Sequence, residues 1–385
     1  MSFYCDIFDN VLHIGLDQRG KGFYADIDEI DKLLGELEGN HVDISLRNDY
    51  DKDIICIQHV LQCKKITKLT FSYTSIHISD IQMSLDHITE LNIADQFDNI
   101  FWFNPEIISK FSQLKILNFK RDVHSLVLTK TIVKYIPNTV QELSIKIDCM
   151  FENVEQIDQL CDLFNLQLTH LNLDIQNRKY LPITFYNNFC KMKTLKSLKF
   201  NAFMSNDCIK NFGNAIKSLN ILKLDFTYLA FNNFKVYNLL RNLLFHNPPY
   251  LKELILELVE FPDSSFYMFL IHCKLRKICL TVRNDAIINL PEISTSLVNN
   301  HILENITHNG KNMNIEHLSR NESYRSVREF ATIMLSNDIS FPPYVILWII
   351  DWVVKNANKH HKRNIVLVEN VRNSIVKVFN NRIKK

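Results

Sequence analysis

One six-residue pattern returns along most of this 385-residue chain and limits what it can fold into. An aliphatic residue is followed by two others, an aliphatic, one other, and an aliphatic or Phe. The first positions fall at Ile66, Ile88, Leu114, Val140, Leu168, Leu195, Leu219, Leu251 and Leu275, so the spacing stays between 22 and 32 residues. The fourth and sixth positions are Leu69 and Phe71, Leu91 and Ile93, Leu117 and Phe119, Leu143 and Ile145, Leu171 and Leu173, Leu198 and Phe200, Leu222 and Leu224, Leu254 and Leu256, Ile278 and Leu280. In an extended segment, successive side chains point to opposite faces, so the fourth and sixth turn inward together while the fifth turns out. The fifth positions, Thr70, Asn92, Asn118, Ser144, Asn172, Lys199, Lys223, Ile255 and Cys279, are polar in seven of nine cases, as an outward strand face requires. A single strand of this length cannot bury its apolar side. Neighbours stacked in parallel build a continuous core and satisfy each other's backbone groups.

Between these strands the periodicity becomes helical. Asn153 can cap a helix that places Val154, Ile157, Leu160, Cys161 and Phe164 on one face, and "SNDCIKNFGNAIKS" does the same with Cys208, Ile209, Phe212, Ala215 and Ile216. Strand plus helix in each period predicts an α/β solenoid. Solenoids need closed ends. Residues 1–65 supply an N-terminal cap, with a helix through Leu33, Leu34 and Leu37 and a strand at Val42, Ile44 and Leu46. Residues 66–300 are the array, and 301–385 read as a helical C-terminal cap.

The L-x-x-L-x-L core resembles the leucine-rich repeat family over about residues 40–300. That resemblance implies a curved parallel sheet on the concave side and helices on the convex side. The family's Asn or Cys three residues after the sixth position is missing; Phe203 and Val259 stand at two of those places, and irregular turns are expected there. A second resemblance lies in "FPPYVILWIIDWV", which is similar to the opening of an F-box: Phe341 and Pro342 fit its first pair, and Val345, Ile346, Ile349, Ile350 and Val353 its apolar positions. It departs at Tyr344, commonly acidic. This similarity implies docking on the adaptor of a cullin-RING ubiquitin ligase through Pro342, Ile346, Ile349 and Ile350. The competing expectation is that these residues, with Trp348 and Trp352, cap the last repeat.

Composition narrows the function. Nine cysteines without a C-x-x-C pair read as free thiols of a reducing compartment, so a cytoplasmic protein, with access to the nucleus, is expected. No apolar run is long enough to span about 30 Å of hydrocarbon. A formal net charge of +2 leaves no overall footprint for nucleic acid, and no such partner is expected, although the first 65 residues are acidic and the end from Lys355 is basic. The seven glycines form no phosphate loop, there is no H-E-x-x-H, and His360 and His361 sit among lysines that repel a cation. Cys273 beside His272 is the nearest approach to a thiol nucleophile, yet neighbours on a helix diverge. The chain is therefore expected to have no catalytic residue, metal or cofactor. What remains is a surface that suits a protein partner. Positions three, five and seven of each strand project from it, and Asn92, Asn118, Lys120, His170, Asn172, Asp174, Lys199, Lys223, Asp225 and Glu253 are its candidate contacts.

Overall fold

The computed structural model describes residues 3–16, 27–45, 51–72, 83–94, 105–123, 126–148, 159–176, 181–202, 204–231, 238, 241–243, 248, 250–258, 264–282, 290–297, 300, 302–313, 315 and 318. They form an α/β protein with one open sheet of 14 strands, each lying beside the next in chain order. The chain divides into two compact units, Met1–Leu251 with Ile255–Glu257, and Lys252–Leu254 with Leu258–Lys385. The Phe341–Val353 segment, including Pro342, Ile346, Ile349 and Ile350, lies outside the described residues.

In the first unit β1 (Phe3–Phe8) pairs antiparallel with β2 (Val11–Leu16). From β2 to β10 the strands pair in parallel: β3 (His41–Ser45), β4 (Lys68–Phe71), β5 (Glu90–Ile93), β6 (Ile116–Val123), β7 (Glu142–Ile147), β8 (His170–Ile175), β9 (Ser197–Asn201) and β10 (Lys223–Phe231). The fourth positions register on one another, Val42 beside Leu69, then Leu91, Leu117, Leu143, Leu171 and Leu198. Each of these seven side chains is at most 2% exposed. Alternation thus carries the core, as the sequence predicts. A backbone motif repeats with it. The second-position carbonyls of Asn40, Thr67, Thr89, Lys115, Gln141, Thr169 and Lys196 each accept the N–H groups of positions two and three of the next coil, at 2.7–3.1 Å.

That motif corrects one register. Leu222 and Lys223 donate to the Lys196 carbonyl, so Leu222 stands at position two, not four, and its side chain is 37% exposed. The strand positions one, four and six are Ile221, Leu224 and Phe226, all buried, with Leu224 registered on Leu198. Leu219 is also buried and closes the turn after a helix, its N–H bonded to the Ile216 carbonyl, but two further residues precede the strand. A shift of two keeps the parity, so Lys223 and Asp225 still belong to the outward face.

The ladder also reaches further than the sequence pattern suggests. Leu12 and Ile14 of β2 register on the predicted strand at Val42 and Ile44, adding one coil before it. Gly39 takes the place of the apolar first position in the Val42 coil; a Cβ on it would run into the Asn10 carbonyl oxygen, which only glycine avoids. The β1–β2 turn is Asp9–Asn10, both at positive φ (50° and 60°), the conformation of a two-residue hairpin whose twist matches its strands.

The helices fill the other side of the sheet's core. Helix α1 spans Ile27–Glu36, α2 Asp51–Gln62, α3 Leu126–Tyr135, α4 Ile183–Asn188 and α5 Asn206–Lys217. Ser205 caps α5 by accepting the Cys208 N–H at 3.2 Å, and Cys208, Ile209, Phe212, Ala215 and Ile216 form its buried stripe. The helix expected from Asn153 appears, where described, as a 3-10 helix over Gln159–Asn165 that buries Leu160, Leu163 and Phe164. Phe164, Phe185, Tyr186, Phe189, Phe200, Phe212 and Phe226 make one aromatic cluster, mostly edge to face, with centroids 4.8–6.5 Å apart.

Strand β11 spans Glu253–Leu258; in the second unit, β12 (Lys277–Val282) pairs parallel with β13 (Asn305–His308), and β13 antiparallel with β14 (Lys311–Asn312). Leu303 and Ile306, both fully buried, repeat the positions of Leu275 and Ile278, so the strand ladder continues past residue 300, where the sequence reading places a helical cap. The turn here is Asn309–Gly310, again at positive φ. Helices α6 (Ser264–His272) and α7 (Leu290–Leu297) bury Phe266, Phe269, Leu270, Ile293 and Leu297.

The outward strand face as candidate functional site

Positions three, five and seven of the first unit build a polar sheet surface whose side chains hold one another across strands. Four adjacent strands share a connected network. His41 Nε2 lies 2.8 Å from the Thr70 hydroxyl; Asn92 donates to Thr70 Oγ1 at 3.4 Å and to Glu90 at 3.1 Å; Asn118 donates to Asn92 Oδ1 at 3.0 Å. Lys68 pairs with Glu90 at 2.8 Å. Parallel strands make this possible, because registered residues of one position repeat at about 4.8 Å, the reach of an amide to its neighbour. Thr70 and Asn92 are only 2% and 3% exposed, so these two are part of the scaffold rather than open contact points.

Further along, Asn172 donates to Ser144 at 2.9 Å, His170 approaches Glu142 at 3.6 Å, and Asn201 donates to Asp174 at 2.7 Å. Lys199 registers beside Asp225, and Lys223 beside Ser197. Lys120 is exposed but sits where the β6–β7 register shifts between Asn118 and Asp122, an irregularity that takes it out of the regular rows. The fold therefore brings nine of the ten predicted contacts onto the strands of the first unit. Glu253, in the second, pairs with Lys277 at 3.2 Å.

His13, Asp43, His41 and Glu90 belong to the same rows and escape the sequence reading. His13 lies on β2, a strand the repeat pattern does not mark; Asp43 and His41 lie on β3, predicted through its inward residues Val42 and Ile44 alone; and Glu90 occupies a third position no motif marks. His13 Nδ1 lies 3.8 Å from Asp43 Oδ2.

The electrostatics of the network follow from its half-burial. Desolvation, then the charge of Lys68, holds the His41 imidazole below its ordinary value of 6.5. Desolvation and Lys64 do the same to His87, partly offset by a backbone hydrogen bond with Leu61 and by Asp86, and desolvation lowers His308. Burial alone would raise the Glu90 carboxyl, but hydrogen bonds from Lys68 and Asn92, with the charges of Lys68 and His41, outweigh it and hold it below the usual range. The sign for stability is the same in each case. A histidine whose folded value is depressed binds its proton more readily when unfolded, so stability is present above about 6.5 and is lost as pH falls below it. Glu90 adds a loss at still lower pH. The urea midpoint is therefore expected to drop between pH 7.5 and 5.5, and less so in a His41→Gln, His87→Gln variant; a midpoint that is flat or rises on acidification contradicts this.

Cys273 is a poor nucleophile where it sits. It is 4% exposed, and burial pushes its thiol up to about 11, against hydrogen bonds from the backbone of Leu275 and the side chain of Asn300 that act in the opposite direction. No helix among the described residues is long and apolar enough to cross a membrane. No protein-family model matches the chain, and no curated protein matches it significantly.

Proposed function

We propose that this chain is a divergent leucine-rich repeat protein that works without catalysis, holding another protein on the outward strand face of its first unit. The observation that supports it most is the in-register parallel ladder, in which one parity of side chains is buried and the other presents fixed rows of amides, hydroxyls and charges. Rows already held by mutual hydrogen bonds lose little freedom when a partner docks, which lowers the cost of binding. Mixed Asn, Ser, His, Lys and Asp favour a partner read through polar contacts over one held by apolar burial. The reducing cytoplasm remains the expected setting, in keeping with cysteines such as Cys63 and Cys190 that form no disulfide.

Affinity capture from cells tests this. A partner is expected to copurify with the wild-type chain and with Lys210→Glu on the helix side. It should be lost, by tenfold or more in recovery, with a His170→Glu, Asn172→Arg double variant of unchanged circular dichroism. Undiminished recovery by that variant overturns the choice of face. The cullin-adaptor reading rests on the Phe341–Val353 resemblance alone. A purified adaptor that binds the full chain but not one ending at Ser340 supports it, and one that binds neither removes it.

A further inference from the structure

Charge is distributed along the first unit in a way the net value conceals. From Ile175 to Leu251 there are eleven Lys and Arg and only two acids, Asp207 and Asp225, whereas the whole chain has a net charge of +2. The fold gathers part of this excess at one place, the edge where β9 and β10 begin. Lys196 occupies position two, immediately before β9, and its carbonyl accepts the N–H of Lys223, the first residue of β10. Lys217 ends α5, and Lys193 reaches the hydroxyl of the next residue, Ser218, at 3.4 Å. Lys199 continues the block onto the outward face, two residues beyond Ser197, on which Lys223 registers. Lys191, Lys193, Lys196 and Lys217 are exposed, and Lys199 and Lys223 are half-buried.

We infer that this corner of the strand face is the docking point for an acidic polypeptide segment. The inference rests on the proposed function and names the chemistry of the partner. Six lysines on two neighbouring coils set up a positive potential that a run of Asp and Glu complements, raising both association rate and affinity. Two observations favour a polypeptide over nucleic acid. Single-stranded nucleic acid is bound through exposed aromatic platforms, and here Phe185, Tyr186, Phe189, Phe200, Phe212 and Phe226 are all at most 1% exposed. The same face also carries carboxylates, Asp225 registered beside Lys199 and Asp174 bonded to Asn201, which accept the backbone N–H groups of a peptide, donors that a sugar-phosphate backbone lacks. Phosphate recognition further favours the planar fork of arginine, and the six charged residues here are lysines.

The test uses the full chain and three fluorescent probes of equal length: an oligo-glutamate peptide, an oligo-glutamine peptide and a single-stranded oligonucleotide. Anisotropy at 50 mM salt is expected to show saturable binding of the acidic peptide, at least tenfold tighter than the neutral one and no weaker than the oligonucleotide. Lys193→Glu, Lys196→Glu, Lys217→Glu should weaken it at least tenfold with an unchanged circular dichroism spectrum, and Lys199→Gln, Lys223→Gln should weaken it too. Acidic-peptide binding that the charge reversal leaves intact, or no binding at all, overturns the inference, and so does an oligonucleotide bound tenfold tighter than the peptide. The broader proposal fails separately. If capture is lost with His170→Glu, Asn172→Arg but the acidic peptide does not bind, the strand face stands and its assigned partner chemistry falls.

Discussion

Phe189→Ala is expected to destabilise the first unit by about 3–5 kcal/mol, the range for emptying a fully buried aromatic site. Phe189 is 0% exposed and lies at the centre of the aromatic cluster, its ring 4.8 Å from Phe164, 5.2 Å from Phe200 and 5.4 Å from Phe212. These rings come from the 3-10 helix Gln159–Asn165, the strand β9 and the helix α5, so no single element can close over the hole. Edge-to-face pairs add roughly 0.5–1.5 kcal/mol each beyond area burial, and three close ones are lost together. Phe189→Leu keeps most of the volume and should cost less than half as much. In an array, coils are stabilised by their neighbours, so the unfolding transition should broaden as well as shift. Urea unfolding followed by circular dichroism checks both. A midpoint within error of the parent for the alanine variant would mean that this cluster is not packed as described.

The second large effect is expected in the other unit, at a side chain that makes no apolar contribution. Asn300 is 4% exposed and joins two backbone segments. Its amide nitrogen donates to the carbonyls of Leu270 at 2.5 Å and Cys273 at 3.1 Å, and its oxygen accepts the N–H groups of Ile302 at 2.9 Å and Leu303 at 3.0 Å. The carbonyls at the C-terminal end of α6 have no partner within the helix, and those N–H groups precede the next strand, so one side chain satisfies both ends of the connection. Asn300→Ala removes four hydrogen bonds at once, two to carbonyls and two from N–H groups. At roughly 1–3 kcal/mol for each, with some regained from water, a loss of about 3–5 kcal/mol is expected. Asn300→Asp distinguishes hydrogen bonding from packing. It keeps the shape but turns a carboxylate oxygen toward two carbonyls, so it should be as damaging as alanine at pH 8 and recover in part on acidification, when the carboxyl can donate again. A harmless aspartate would show that the side chain serves only as filler.

The parts of this architecture written in parity were legible in the sequence, and the parts written in turns were not. Every fourth and sixth position proposed is buried except Leu222, because burial of one strand face leaves no freedom in which residues alternate. Leu222 misled because a leucine that closes a helix turn, Leu219, sits two residues ahead of the strand's own register and imitates it. The coil at Leu12 went unread, and Gly39, whose missing side chain is what the close approach of Asn10 demands, kept the predicted strand at Val42 and Ile44 out of the repeat alignment. Asn309–Gly310 is a strong hairpin signal that went unread beside the helical pattern following it. For the outward face, the sequence supplied the residues but not their pairing. That Asn92 is buried against Thr70 and Asn118, and Asn172 tied to Ser144, depends on which strands neighbour one another, which the spacing of the repeats does not state.

Disulfide trapping between β7 and β8 tests the parallel, in-register ladder most directly. Cysteine pairs at Glu142 with His170 and at Lys146 with Asp174 occupy registered positions, whose Cα separation in a parallel ladder falls within the roughly 4.4–6.8 Å a disulfide spans. Both pairs are expected to crosslink quickly under mild oxidation, mapped by peptide mass spectrometry, while pairs at Glu142 with Asp174 and Lys146 with His170 remain reduced. Crosslinking of the second two in preference to the first would mean that the strands run antiparallel, and the shared core described here would not exist.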